Sequence, residues 1–262
     1  MKLFPYFVCL ILFACKKNES TTTPHLKKMI IKWSPTTTTT DSIQYTYSYD
    51  DNIRLVKLII NTPASAVETV IYTRNLSGYI SGLIVNGSTS YKVINADASG
   101  HLLSSVTTYA IDQKDSATFT YTGDKITQAI IYYNGGTGFR IDSKQVYTYD
   151  SKGNISKWES FDFNRNSFLL ALRRTYSYDT KISPLQLGNE VFLFSSQVNG
   201  LDGMANNFFI GPNNMLSKVY EDLNDPFNNR NTTFTYTYNN RNEPITAIGT
   251  GTQPLTLTTY LY

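Results

Sequence analysis

Few side chains in this sequence could do chemistry, and most of them are carboxylates. Asp50, Asp97, Asp124, Asp150 and Asp179 recur at reversals between extended stretches. Turns that share one edge of a sheet would line these acids along it. Such a rim could hold Ca²⁺, or supply the two acids about 5 to 9.5 Å apart that glycoside hydrolysis uses. Turn chemistry already explains every one of them, because an aspartate at a reversal folds its carboxylate onto backbone N–H groups ahead of it. A second acidic stretch, Glu221-Asp222-Leu223-Asn224-Asp225-Pro226, offers Asp222 and Asp225 as weak calcium candidates. Its spacing matches no calcium loop and reads as a solvated loop.

Other chemistries lack their parts. The 2 histidines are His25, in a polar segment, and His101, which reads as a solvated turn residue. A His/Cys zinc site needs three or four ligands, and a Ser-His-Asp or Cys-His arrangement needs a buried, oriented base, so neither is expected. Gly135-Gly136-Thr137-Gly138 lacks the lysine and following helix of a phosphate-binding loop and reads as a hairpin loop. No cofactor is implied. Aromatic residues make up 14% of the chain, with 20 tyrosines. Trp158, Tyr149 and Tyr178 are candidates for a platform on which sugar rings stack, since rigid amphipathic rings give contact area at low entropic cost. The competing reading packs them into cross-strand ladders.

The first residues read as a processing signal. Lys2 precedes an apolar run from Leu3 to Ala14, too short to span a bilayer but of signal-peptide length, and Leu12-Phe13-Ala14-Cys15 follows. That ending resembles the lipobox of bacterial lipoproteins. The resemblance implies cleavage before Cys15 and acylation of its sulfur and amino group, which anchors a chain stably where one acyl chain would not. Cys9 would leave with residues 1–14, so no internal disulfide can form. Residues 15–25 would be the lipidated cysteine and a polar, aperiodic tether. Without Lys2, 22 Lys and Arg face 20 acids, and no basic stripe exists for nucleic acid.

The elements that must position these side chains come from a repeat. Tyr147-Thr148-Tyr149-Asp150-Ser151-Lys152-Gly153-Asn154-Ile155-Ser156-Lys157-Trp158 reads as strand, turn and return strand. Gly153 supplies the positive φ of the reversal, Ile155 plugs the turn, and a bulge just after it makes Trp158 the first inward residue of the return strand. Copies recur at Tyr45 to Ile53, Tyr72, Tyr91 to Leu102, Phe119 to Ile126, Tyr176 to Ile182, Phe208 to Leu216 and Phe234 to Ile245. The last aromatic before the turn falls at 121, 149, 178, 209 and 238, intervals of 28, 29, 31 and 29. One hairpin per period predicts an all-β domain over residues 26–262. It would be an antiparallel meander of about 14 to 16 strands that must curl. Pro184 and the Gly/Asn/Ser-rich stretch after it predict a short helical or irregular insertion near 184–207.

The Tyr-x-Tyr-Asp-x-x-Gly-x-Ile pattern resembles the tyrosine-aspartate repeats of Rhs and Tc-toxin shells. Tyr178-Asp179 with Pro184-Leu185, Pro212-Asn213-Asn214-Met215, and Tyr236-Thr237-Tyr238 with Glu243-Pro244-Ile245 are similar to a Bacteroidota lipoprotein family with no assigned activity. The resemblance implies outer-membrane anchoring, with the side the domain faces left open, and it carries no catalytic signature. The expectation is a non-enzymatic, lipid-anchored protein that binds a glycan or a protein partner. The alternative is a structural or assembly component facing the periplasm, whose sheet edges accept strands. A carboxylate-dependent glycosidase comes third.

Overall fold

The computed structural model describes residues 25–33, 42–63, 67–86, 91–110, 113–184, 211–251 and 255–262. The signal sequence, Cys15 and the tether before His25 lie outside the described residues, as does the expected insertion from residue 185 onward.

Among the described residues sixteen strands run in chain order: β1 (Lys28–Trp33), β2 (Ser42–Tyr49), β3 (Leu55–Asn61), β4 (Glu68–Arg74), β5 (Ile80–Val85), β6 (Tyr91–Ala96), β7 (Leu102–Ala110) and β8 (Gln113–Thr122). They continue with β9 (Lys125–Asn134), β10 (Arg140–Tyr149), β11 (Ile155–Asn164), β12 (Ser167–Ile182), β13 (Asn213–Asp222), β14 (Arg230–Tyr238), β15 (Pro244–Gly251) and β16 (Thr256–Leu261). Each strand pairs antiparallel with the next, and β1 also pairs with β16, from Lys28 opposite Leu261 to Trp33 opposite Thr256. The meander therefore closes into a barrel, which leaves no open sheet edge among the described strands. The curl expected from strand number goes all the way to closure.

The bulge expected after the turn is present. Thr148 pairs with Lys157 and Tyr149 with Ile155, so Ser156 is the extra residue. The same slip occurs at Ser48/Tyr49, Thr73/Arg74, Asn95/Ala96, Thr120/Tyr121 and Thr237/Tyr238. Each bulge lets the residue after the turn point inward while the return strand resumes in phase, so Ile155 is buried and Trp158 lies opposite inward Tyr147. Gly153 takes a φ of 92°. In the first repeat that position is Ile53, with a φ of 66°, a conformation that a β-branched residue adopts only under strain.

Alternation along the strands separates two surfaces. Inward positions carry Met29, Tyr45, Tyr47, Leu58, Val70, Tyr72, Tyr147, Tyr176, Phe234 and Tyr260, all buried in one cluster. Outward positions carry Ser42, Gln44, Thr46 and Ser48 on β2, Lys114, Ser116, Thr118 and Thr120 on β8, and Asn231, Thr233, Thr235 and Thr237 on β14. Hydroxyls pair across the outer face, as between Thr237 and Thr246 at 2.6 Å. Apolar residues also face outward, with Ile71 opposite Ile84, Val93 opposite Val106, and Ile248 on β15.

Candidate functional site

The two ends of the barrel are chemically different, and the expected site residues divide between them. One rim gathers the repeat turns. There Asp150 Oδ1 accepts from the N–H groups of Lys152 and Asn154, both at 2.9 Å. Asp50 does the same for Asn52 and Arg54, and Asp97 for Ser99 and His101. Asn239 takes the aspartate's place for Arg241 and Glu243. Asp179 spans the insertion, accepting from Lys181 N at 2.8 Å and Asn214 N at 3.1 Å. The side-chain and backbone bonds from Arg54 hold the Asp50 carboxyl below its ordinary range, and the backbone bond from His101 does most for Asp97. For Asp150, burial works in the opposite direction and the bonds from Asn154, Lys152 and Gly153 prevail.

Asp124 departs from this scheme. Its carboxylate is 96% exposed and lies 3.3 Å from His101 Nε2, while His101 Nδ1 lies 3.2 Å from Asp97. His101 also packs on the Tyr121 ring, with centroids 4.6 Å apart. It is thus a held turn residue and not a freely solvated one, because two neighbouring turns bring their carboxylates to it.

Below the turns, Leu26, Leu55, Ile80, Leu102, Ile126, Ile155, Met215 and Pro244 are buried, one from each hairpin and Leu26 from the segment before β1. Tyrosine hydroxyls clasp their carbonyls. Tyr149 donates to Ile126 O and Tyr178 to Ile155 O, each at 2.7 Å. Tyr49 donates to Leu26 O, Tyr121 to Leu102 O, Tyr236 to Met215 O and Tyr262 to Pro244 O. At Leu55 the guanidinium of Arg74 substitutes, at 2.9 Å. Each clasp ties neighbouring hairpins where their ladder has ended; the last rung between β9 and β10 is Val146 with Gln128. The structure therefore places Tyr149 and Tyr178 in the scaffold, with hydroxyls spent on backbone. Burial pushes the Tyr121 and Tyr176 hydroxyls up to about 12, and those of Tyr149, Tyr178 and Tyr236 higher still.

Trp158 has a different setting. A row of directly opposed residues crosses the inner face from Tyr147 on β10 to Trp158 on β11, Arg174 on β12, Tyr220 on β13 and Arg230 on β14. The Arg174 guanidinium lies 4.3 Å from the centroid of Trp158 and 5.4 Å from that of Tyr220, a cation held between two aromatic faces. Trp158 Nε1 donates to Gln145 Oε1 at 3.4 Å. The adjacent row runs Tyr176, Lys218, Thr232. Burial first, and then Arg174 and Arg230, lower the Lys218 ammonium to about 8. Toward the far rim, the mouth, the described inward residues are more exposed: Asp162 and Arg230 are exposed, and Leu169 retains 55% of its surface.

Asp222 and Asp225 sit at that far rim and are committed to a loop. Asp222 Oδ1 accepts from Asn224 N and Asp225 N, Asp225 Oδ1 accepts from Phe227 N, and Asn228 Nδ2 bridges both carboxylates. They brace the short 3₁₀ turn Pro226–Asn228. No group of three or more His, Cys, Asp or Glu side chains that could hold a metal occurs among the described residues.

Arg174, Lys218 and Tyr220 were not singled out by the motif reading. One signal was present: Arg174 shares strand parity with Tyr176, so a period of two already puts it inside.

The class of protein defined here is a closed antiparallel β-barrel of consecutive hairpins, whose described inward residues are buried at the turn rim and more exposed toward the other. Among solved structures it is similar to a porin-like protein from Bacteroides uniformis, at 12% identity and a TM-score of 0.56, over 90% of this chain and 97% of that one. A porin-like protein from Bacteroides vulgatus aligns at 11% identity and a TM-score of 0.47, over 91% of this chain and 98% of that one. At such identity the first likeness is one of fold. No family model matches the chain, and no curated protein does.

Proposed function

We propose that the protein is a lipid-anchored, non-enzymatic binding protein of the outer membrane, which stands on the bilayer through acylated Cys15 and takes a glycan or protein partner at the open mouth of its barrel. The inverted alternation carries this reading. A barrel in lipid turns an apolar band about 25 Å tall outward and polar residues inward. This barrel turns tyrosine and aliphatic residues inward and, on β2, β8 and β14, threonine, serine and other polar residues outward.

Geometry supports a polarity as well. Lys27 N bonds Leu261 O and Tyr47 N bonds Lys27 O, so the chain enters the barrel at the turn rim. A tether from Cys15 to His25 then holds the filled end toward the membrane, and the mouth points away from it. The assembly alternative drew its motive from open edges, and closure removes them. The glycosidase reading loses the turn aspartates Asp50, Asp97, Asp150 and Asp179, whose carboxylates are bound to their own turns.

Fractionation of cells expressing wild type and Cys15→Ala tests the anchor. Wild type is expected in the membrane fraction and Cys15→Ala in the soluble fraction; a variant that stays in the membrane marks an integral barrel and sinks the reading. Purified protein is expected to bind on a broad glycan array or to capture a partner from envelope extract. Failure of both removes the binding role.

A further inference from the structure

We propose that the lumenal ladder Trp158–Arg174–Tyr220–Arg230, with Lys218 beside it, is an anion subsite that takes the carboxylate or sulfate group of an acidic glycan entering through the mouth. This rests on the glycan branch of the function proposed above and names its ligand class.

Three cations converge on one inner wall. From β12, Lys218 faces Tyr176 and Arg174, and from β14 it faces Thr232 and Arg230. Burial first, and then the guanidiniums of Arg174 and Arg230, disfavour its charged form. The inward carboxylates on β11 to β14 are Asp162, nearer the mouth, and Asp222, which is bound to its loop; Asp115 lies further round the wall, inward on β8. Glu159 and Glu221 pair with Arg173 on the outer face.

Donors await a partner there. The Arg174 guanidinium reaches the Tyr176 hydroxyl, yet its Nε and Nη1 are buried with no hydrogen-bond partner. Thr232 is 7% exposed and its Oγ1 is likewise unpartnered. Buried donors without partners are costly, and converging cations repel; an anion among them relieves both. Arg230, exposed at the mouth, meets an incoming acid first, and Lys218 and Arg174 lie further in. Aromatic faces beside a guanidinium suit a sugar ring that carries a charged substituent, because the ring offers an apolar face and the substituent a charge-assisted hydrogen bond.

The test is calorimetric titration of the full barrel with a galacturonic acid hexasaccharide, a sulfated hexasaccharide and a neutral galactose hexasaccharide. Wild type is expected to bind at least one acidic probe about tenfold or more tighter than the neutral one. Arg174→Gln and Lys218→Met each reduce that preference, while Arg174→Lys retains part of it. If Arg174→Gln does not fold, Lys218→Met and Arg174→Lys decide. Equal binding of acidic and neutral probes overturns the subsite and leaves the glycan-binding role standing. A preference that survives both variants places the charge recognition elsewhere and also overturns it. Absence of binding by every saccharide, with none on the array, removes the glycan-binding role itself.

Discussion

The filled rim and the open mouth are built from the same hairpins, yet they solve opposite problems. At the turn rim the repeats, apart from the turn at Asp124, contribute an aspartate or asparagine that caps its own reversal; each adds an apolar residue that enters the lumen, and most add a hydroxyl or guanidinium that ties onto a neighbouring hairpin. Ile126 has no exposed surface there, whereas Leu169 at the mouth keeps 55% of its own. On the wall leading to the mouth the inward positions hold Arg174, Lys218, Arg230 and Tyr220. The turn rim spends its polar groups on backbone, whereas on the wall toward the mouth two nitrogens of Arg174 and the Thr232 hydroxyl are buried without a hydrogen-bond partner.

The largest effect that would break this contrast is alkaline unfolding. The buried tyrosines have folded values raised above the unfolded value of about 10, so their stability contribution is complete below pH 10 and is lost as pH rises beyond it. Urea midpoints are expected to fall steeply from pH 10 to 12; a flat profile would mean that the tyrosines are not buried as described.

Next comes the plug. Ile155→Ala is expected to cost about 2 to 5 kcal/mol, through lost burial and a cavity, while Leu169→Ala at the mouth stays within about 0.5 kcal/mol. Equal losses in denaturant melts would erase the distinction between the ends. Tyr149→Phe leaves the Ile126 carbonyl without its donor and is expected to cost about 1 to 3 kcal/mol, with Tyr133→Phe at the mouth as the near-neutral control.

Ile53→Gly runs the other way. It removes positive-φ strain in the first turn and should stabilise by about 1 kcal/mol, and a destabilised variant would show that the Ile53 side chain contributes more than its backbone costs.

Lys218 supplies the finest test. Its folded value of about 8 lies below the unfolded value near 10.4, so the unfolded chain binds the extra proton and stability rises with pH between the two. Tyr176, Arg174, Thr232 and Arg230 are the groups that face it across the sheet. Lys218→Met should flatten that rise below pH 10, where the tyrosines do not yet contribute. An unchanged slope would put the ammonium in water.

Much of the scaffold was legible from residue types alone. Tyrosine, threonine and a period of two specify strands, Asp150 and Gly153 specify the reversal, and the three-residue gap from Ile155 to Trp158 specifies the bulge, because each of these is a local backbone preference. The candidate site was legible only in part. Trp158 reads from the sequence as a candidate for a stacking platform, but the ring alone does not tell such a platform from an arginine shelf. Tyr149 and Tyr178 resemble Trp158 in the sequence; their clasp bonds reach carbonyls of the preceding hairpin, which no motif within one repeat contains.

By itself, then, the sequence determined the hairpin, its turn, its bulge and which residues alternate inward, since all of these are set by neighbours a few positions apart. The tertiary structure alone decided that β16 returns to β1, and that Arg174 lies between Trp158 and Tyr220. Closure depends on the summed twist of all sixteen strands, and the ladder on register between strands whose residues are distant in the chain.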